Sequence, residues 1–219
     1  MLLGLALLYV GAVLFLNGLW LMDKIGDREI AIINIFVGGL TLLVALYLAF
    51  GPGADAASIK AAGLTLLFTF TYLWVAFNRY SGADGRGLGW FSLFVSITVV
   101  PVAIDTLASA QSVWDVWFGL CWAAWAVLWF MFFMLLAMQR PIARVTGFVT
   151  AVQGVLTGWL PGYLLLNGTM GPAAQAAEAT GSAGPETLPS PDEQSLLQPL
   201  QETLALLSDL AHGFLIHLG

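Results

Sequence analysis

Six apolar runs, at about residues 2–22, 29–50, 58–78, 88–108, 113–138 and 142–167, constrain this chain more than any other feature. Each is close to the ~20 residues a helix needs to cross the hydrocarbon core of a membrane. Composition agrees: 59% of residues are hydrophobic and only 9% are charged, where a soluble domain has roughly a quarter charged. The expected fold is an all-α integral membrane protein, a six-transmembrane-helix bundle. Its first run has no basic flank ahead of it and is expected to be a retained helix rather than a cleaved signal peptide.

The basic residues orient the bundle. Lys24, Arg28, Arg79, Arg86, Arg140 and Arg144 fall around the first, third and fifth connections, and only Lys60 falls on the other side. The positive-inside rule then places the odd connections in the cytoplasm and both termini on the extracytoplasmic side. Asp55, Asp105, Asp115 and the acids of the tail lean outward. That distribution makes a nucleic-acid partner improbable and leaves membrane lipid as the surrounding phase. Three segments are expected: a six-helix transmembrane domain over 1–167, a flexible acidic linker over 168–195, and an amphipathic helix over 196–219. In the last, Leu200, Leu204, Leu207, Ala211, Phe214 and Leu218 keep helical spacing. His212 and His217, both in the tail, read as solvated residues rather than pH sensors.

The fifth run contains WFGLCWAAWAVLW, which puts Trp122, Trp125 and Trp129 at i, i+3 and i+7 on one helical face, separated by alanines. An indole is flat and apolar yet carries one N–H donor, which suits the wall of a narrow passage. The competing reading is an interfacial aromatic belt. That reading fits Trp114 and Trp117, whereas Trp129 lies about 18 Å beyond Trp117 at ~1.5 Å per residue, inside the bilayer.

Polar residues mark other positions. Gly4, Gly11 and Gly18 recur at seven-residue spacing in the first run and read as a helix-packing seam. Asn17 in the same run needs partners in hydrocarbon, supplied by another helix or by a hydrated path. Gly38–Gly39 marks close helix contact, and Thr65, Thr69 and Tyr72 form a polar stripe on the third helix. The fourth helix carries Ser92, Ser96 and a kinking Pro101. Gln153, the deepest strongly polar side chain, reads either as inter-helix glue or as a solute contact, with the contact preferred. The turn DKIGDRE calls for no functional explanation.

No Lys, Arg, Asp, Glu or His lies well inside any run, so ion pumping, proton coupling and voltage sensing lack their usual groups. One cysteine and two tail histidines cannot form a metal site, and no nucleophile–base pair stands out, so neither an enzyme nor a bound cofactor is expected. What remains is passive conduction of a small neutral solute able to donate and accept hydrogen bonds; urea and short amides match. A reading of another class is a non-conducting scaffold or receptor subunit acting through its acidic tail.

The segments LGLALLYVGAVLFLNG, INIFVGGL, FTYLWVAFN, GWFSLFVSITVVP, WAAWAVLW and LTGWLPG resemble the urea and short-chain amide channel family, AmiS/UreI, in order over residues 2 to about 167. The resemblance implies a ring of six protomers around a lipid-filled centre, a homohexamer with one pore in each six-helix bundle. It further implies a pore lined by Leu7, Val10, Leu14 and Asn17, by Phe68, Thr71 and Tyr72, and by Trp122, Trp125, Leu128 and Trp129, with aromatic and aliphatic members forming two constrictions. Acid-gated members carry a glutamate where this sequence has Gln153, and histidines in the outer loops where it has none. The amide-transporting branch, coupled to a cytoplasmic amidase or urease, is therefore the expected relative, and an acid-activated urea channel the alternative.

Overall fold

The computed structural model describes residues 1–170, with the apolar runs as six helices: α1 (Leu2–Leu21), α2 (Asp27–Phe50), α3 (Ala56–Ser81), α4 (Arg86–Ala108), α5 (Val113–Ala137) and α6 (Ala143–Leu166). Each is long and apolar enough to cross a membrane, and no strand occurs among the described residues. Apart from residues 168–170, the expected linker and amphipathic helix lie outside the described residues.

The links between helices occupy residues 22–26, 51–55, 82–85, 109–112 and 138–142. Links this short make successive helices antiparallel. Three links therefore share a basic end, flanked by Lys24, Arg28, Arg79, Arg86, Arg140 and Arg144, and the other two share an acidic end with Asp55. Local chemistry sets the helix starts. Asp55 accepts from the Ser58 amide at 2.7 Å while the Ser58 hydroxyl accepts from the Asp55 amide at 2.8 Å, a reciprocal cap for α3. Ser112 and Asp115 repeat the arrangement at α5. Gly82, at φ 68°, supplies the left-handed residue that ends α3.

The most extensive pairings are α2 with α3, α4 with α5, and α1 with α6, so the last helix returns to the first and closes the bundle. Glycine makes this closure possible. Gly11 lies against the backbone of Trp159, and a Cβ on Gly18 would stand 2.5 Å from the Gly147 carbonyl oxygen and 2.6 Å from the Ala151 amide. On α6, a Cβ on Gly154 would meet the Phe15 amide at 2.6 Å and one on Gly158 the Gly11 Cα at 2.5 Å. Two backbones in direct contact gain dispersion energy that lipid cannot match, which is how small residues join membrane helices. The glycine seam expected from sequence on α1 thus has a matching seam on α6.

Along this contact α6 widens to π geometry over Gly154–Trp159, immediately before Pro161. Proline lacks a donor and crowds the carbonyl of the preceding turn, and a wider turn relieves both. Gly38 packs closely on Leu73 of α3, but Gly39 has open space beside it. Thr69 also faces α2, donating to the Thr41 hydroxyl at 2.8 Å; that member of the polar stripe serves helix contact.

Gly158→Leu should cost at least about 1–3 kcal/mol through overpacking, read as a lower thermal midpoint in detergent, whereas Gly39→Ala should match or exceed wild type. Equal midpoints for Gly158→Leu and wild type would refute the seam.

Candidate functional site

Four helices turn one stripe each toward the interior of the basic half. Leu14, Asn17 and Trp20 come from α1; Phe68, Thr71, Tyr72 and Val75 from α3; Leu88 and Ser92 from α4; Trp125, Leu128, Trp129 and Phe132 from α5. All follow the three- and four-residue spacing of a helical face. Together they line a cavity of about 30 Å³. One water needs roughly 10–15 Å³ by this measure, so the cavity admits two waters or one solute of a few heavy atoms.

Aromatic rings pack around Phe68. Its centroid is 4.9 Å from Trp125, 4.7 Å from Trp129 and 6.1 Å from Trp122, each edge to face. Trp122 and Trp125 meet at 4.9 Å and 88°. This geometry matches the positive edge of one ring with the negative face of another and fixes all four. Toward the acidic end the interior is filled by Leu7, Val10, Leu64, Trp117 and Trp122, and beyond them by Trp114, Phe118, Leu160, Leu164 and Met170.

Hydrogen bonding separates wall from scaffold. The Trp125 indole N–H donates to the Thr157 hydroxyl at 2.8 Å, and that of Trp129 to the Thr71 hydroxyl at 3.3 Å. Thr71 in turn donates to the Leu67 carbonyl, Thr157 to the Gln153 carbonyl, and Ser92 to the Leu88 carbonyl. Asn17 and Asn34 form a reciprocal pair at 2.7 and 3.2 Å, so Asn17 both faces the cavity and ties α1 to α2. The Trp125 and Trp129 indole donors on the cavity wall are therefore already committed. Tyr72 differs. It is 2% exposed, lines the cavity, and its hydroxyl has no partner.

Of the twelve positions singled out from sequence, Leu14, Asn17, Phe68, Thr71, Tyr72, Trp125, Leu128 and Trp129 border this cavity. Leu7 and Val10 lie in the packed layer toward the acidic end, and Trp122 packs against it. Gln153 makes the inter-helix contact that is one of its two readings. Its amide N–H donates to the Ala124 carbonyl at 3.0 Å, joining α6 to α5, and its Oε1 is buried without a partner. Trp20, Val75, Leu88, Ser92 and Phe132 also line the cavity and were missed. Continuing the stripes by one turn, from Asn17 to Trp20, Tyr72 to Val75 and Trp129 to Phe132, would have found three of them.

Comparison with known proteins supplies the context. A family model described as AmiS/UreI family transporter matches residues 2–169. The chain is 43% identical over 166 residues to a protein of Mycolicibacterium smegmatis that is by name an amidate substrates transporter, covering 75% of this chain and 76% of that one. It is 36% identical over 188 residues to the acid-activated urea channel of Helicobacter pylori, covering 74% of this chain and 96% of that one. The cryo-electron-microscopy structure of the Helicobacter pylori urea channel in its closed state superposes with a TM-score of 0.67 at 36% identity, covering 77% of this chain and 100% of that chain.

Thr157→Val removes the acceptor of the Trp125 indole and leaves a buried donor unpaired, a loss of about 1–3 kcal/mol. A lower thermal midpoint for Thr157→Val, with Thr157→Ser near wild type, is the expected result; equal midpoints for Val and Ser would show that the bond does not hold the ring.

Proposed function

The chain belongs to the AmiS/UreI transporter family, and from that premise we propose that it is a passive channel for small neutral amides of the acetamide and formamide kind, with urea as a second solute. Family members are transporters and channels rather than enzymes, and this chain is a multi-pass membrane protein. The observation that carries the reading is the cavity: thirteen lining residues, none of them charged, with one unpartnered hydroxyl on Tyr72.

A neutral wall of this kind selects in three ways. An ion entering it loses hydration with no opposite charge in return. Flat rings set a slot that favours planar solutes. The Trp125 and Trp129 indoles donate to threonine hydroxyls and those hydroxyls donate to backbone carbonyls, which removes sites that would trap a solute, while the unpartnered Tyr72 hydroxyl can accept an amide N–H or donate to its carbonyl. Conduction needs binding weak enough to release the solute, and one hydrogen bond meets that requirement. Passage toward the acidic end requires the side chains packed there, Trp117 and Trp122 among them, to move aside.

The name of the Mycolicibacterium smegmatis relative supports amides, and that of the Helicobacter pylori relative supports urea and acid activation. Proton gating is the weaker reading for this chain. The acidic-end links 51–55 and 109–112 contain no histidine. Hydrogen bonds from the Ser58 amide and hydroxyl hold the Asp55 carboxyl below its ordinary value. Asp55 therefore stays ionised across pH 5–8, and its cap on α3 weakens only when pH falls through that lowered value. We place the pore lining at the other eleven named positions, with Gln153 bracing α5 through the Ala124 carbonyl, and the channel domain at residues 1–167. The setting is a bacterial inner membrane with both termini outside, in a ring of six copies, feeding a cytoplasmic amidase or urease.

Proteoliposomes under an acetamide gradient test this reading: permeability no better than that of empty liposomes ends it. Tyr72→Phe should lower acetamide flux severalfold while water flux holds. Flux should be flat from pH 5 to 8; a steep rise below about pH 6 would favour the acid-activated urea channel. Truncation after residue 170 should preserve transport, and its loss would favour a scaffold or receptor acting through the tail.

A further inference from the structure

We propose that Trp20, Asp27 and Arg79 form a charged latch that fixes the width of the conducting route at the basic end, with the Trp20 ring as the closing element; the inference rests on the conduction reading above. Trp20 lies in the last turn of α1, and its side chain is part of the cavity wall. The indole N–H donates to Asp27 Oδ1 at 2.6 Å, a charge-assisted bond to the first turn of α2. Arg79, in the last turn of α3, places its guanidinium carbon 5.0 Å from the centre of the same ring, within cation–π range. Its Nη1 lies 3.5 Å from Asp27 Oδ2, which closes the triangle.

One ring is thus held at its edge by an anion and over its face by a cation, each from a different helix. The other two wall indoles are held by neutral threonine hydroxyls. Position explains the difference. The Asp27 side chain is 64% exposed and keeps much of its hydration, while that of Arg79 is 20% exposed with its Nε buried and unpartnered, so the pair is only partly desolvated and escapes the full penalty of a buried one. Deeper in the bundle the same pair would be prohibitively costly. At the water boundary, where neutral hydrogen bonds compete with solvent, ionised partners orient a ring more firmly. The links between partners are short: Trp20 and Asp27 are joined through the 22–26 turn, and Arg79 is followed by Tyr80 and Ser81 before the 82–85 turn. Movement of either link would release the ring.

The test uses full-length protein in proteoliposomes, with Asp27→Asn and Arg79→Gln each made in the wild-type and Trp20→Ala backgrounds. Contacts of this strength shift a closed-to-open ratio by about two- to five-fold. Each substitution should raise acetamide permeability by about that factor when Trp20 is present, and leave it unchanged when Trp20 is Ala. A second readout does not depend on transport: oxidation of Trp20 by N-bromosuccinimide, followed by peptide mass spectrometry, should accelerate in both variants. Equal permeability changes with and without Trp20, or unchanged Trp20 oxidation, would overturn the latch. Faster Trp20 oxidation in the variants, with wild-type permeability no better than empty liposomes, would leave the Trp20 anchoring intact but end the conduction reading and, with it, the latch's role in width.

Discussion

Direct backbone contact between the first and last helices is the constraint on which the remaining structure depends. In a membrane no hydrophobic force drives helices together, since lipid tails are as apolar as leucine. Close packing must supply the attraction, and only residues without bulk allow it. Gly11 and Gly18 on α1 meet Gly147, Gly154 and Gly158 on α6 with no side chain between the backbones. This contact turns a string of antiparallel hairpins into a closed bundle. It also fixes the rotation of α1, whose neighbouring face then presents Leu14, Asn17 and Trp20 to the cavity.

Polar side chains complete what the glycines begin. Asn17 with Asn34, Thr69 with Thr41, Ser96 with the Ala126 carbonyl, Trp125 with Thr157, and Gln153 with the Ala124 carbonyl each join two helices. Bonds of this kind contribute about 0.6–2 kcal/mol apiece in a membrane. Their larger role is geometric. A polar atom in hydrocarbon has few acceptable positions, so each pair fixes the register of two helices more sharply than apolar packing does. The same pairs engage the Trp125 donor and one Asn17 donor on the cavity wall and leave the Tyr72 hydroxyl unclaimed. The selectivity proposed for the channel is therefore a by-product of how the bundle satisfies its own polar groups.

The bundle's two ends follow different physics. At the acidic end Trp114, Phe118, Leu160 and Leu164 pack as an apolar layer. At the basic end the cavity approaches water through Trp20, held by the ion pair of Asp27 and Arg79. Neutral contacts govern the interior, and charge enters only where solvent can share its cost.

Hydropathy depends on residue type summed over some twenty positions, and for that reason the six spans, the short antiparallel links and the concentration of basic residues at one end were legible from the sequence alone. The α1 glycine stripe was legible too, because its seven-residue spacing is a local pattern. So were the indole face of α5 and the resemblance that pointed to Phe68 and Tyr72. Partnership was not legible. Whether Gln153 meets a solute or the Ala124 carbonyl, whether an indole N–H is free or held by a threonine 32 or 58 residues away, and whether DKIGDRE is a plain turn or the anchor of Trp20 all depend on the rotation and crossing of helices distant in the chain. Those rotations are set by the glycine contact of α1 with α6, a relation between two ends of the chain that exists only once the helices have packed.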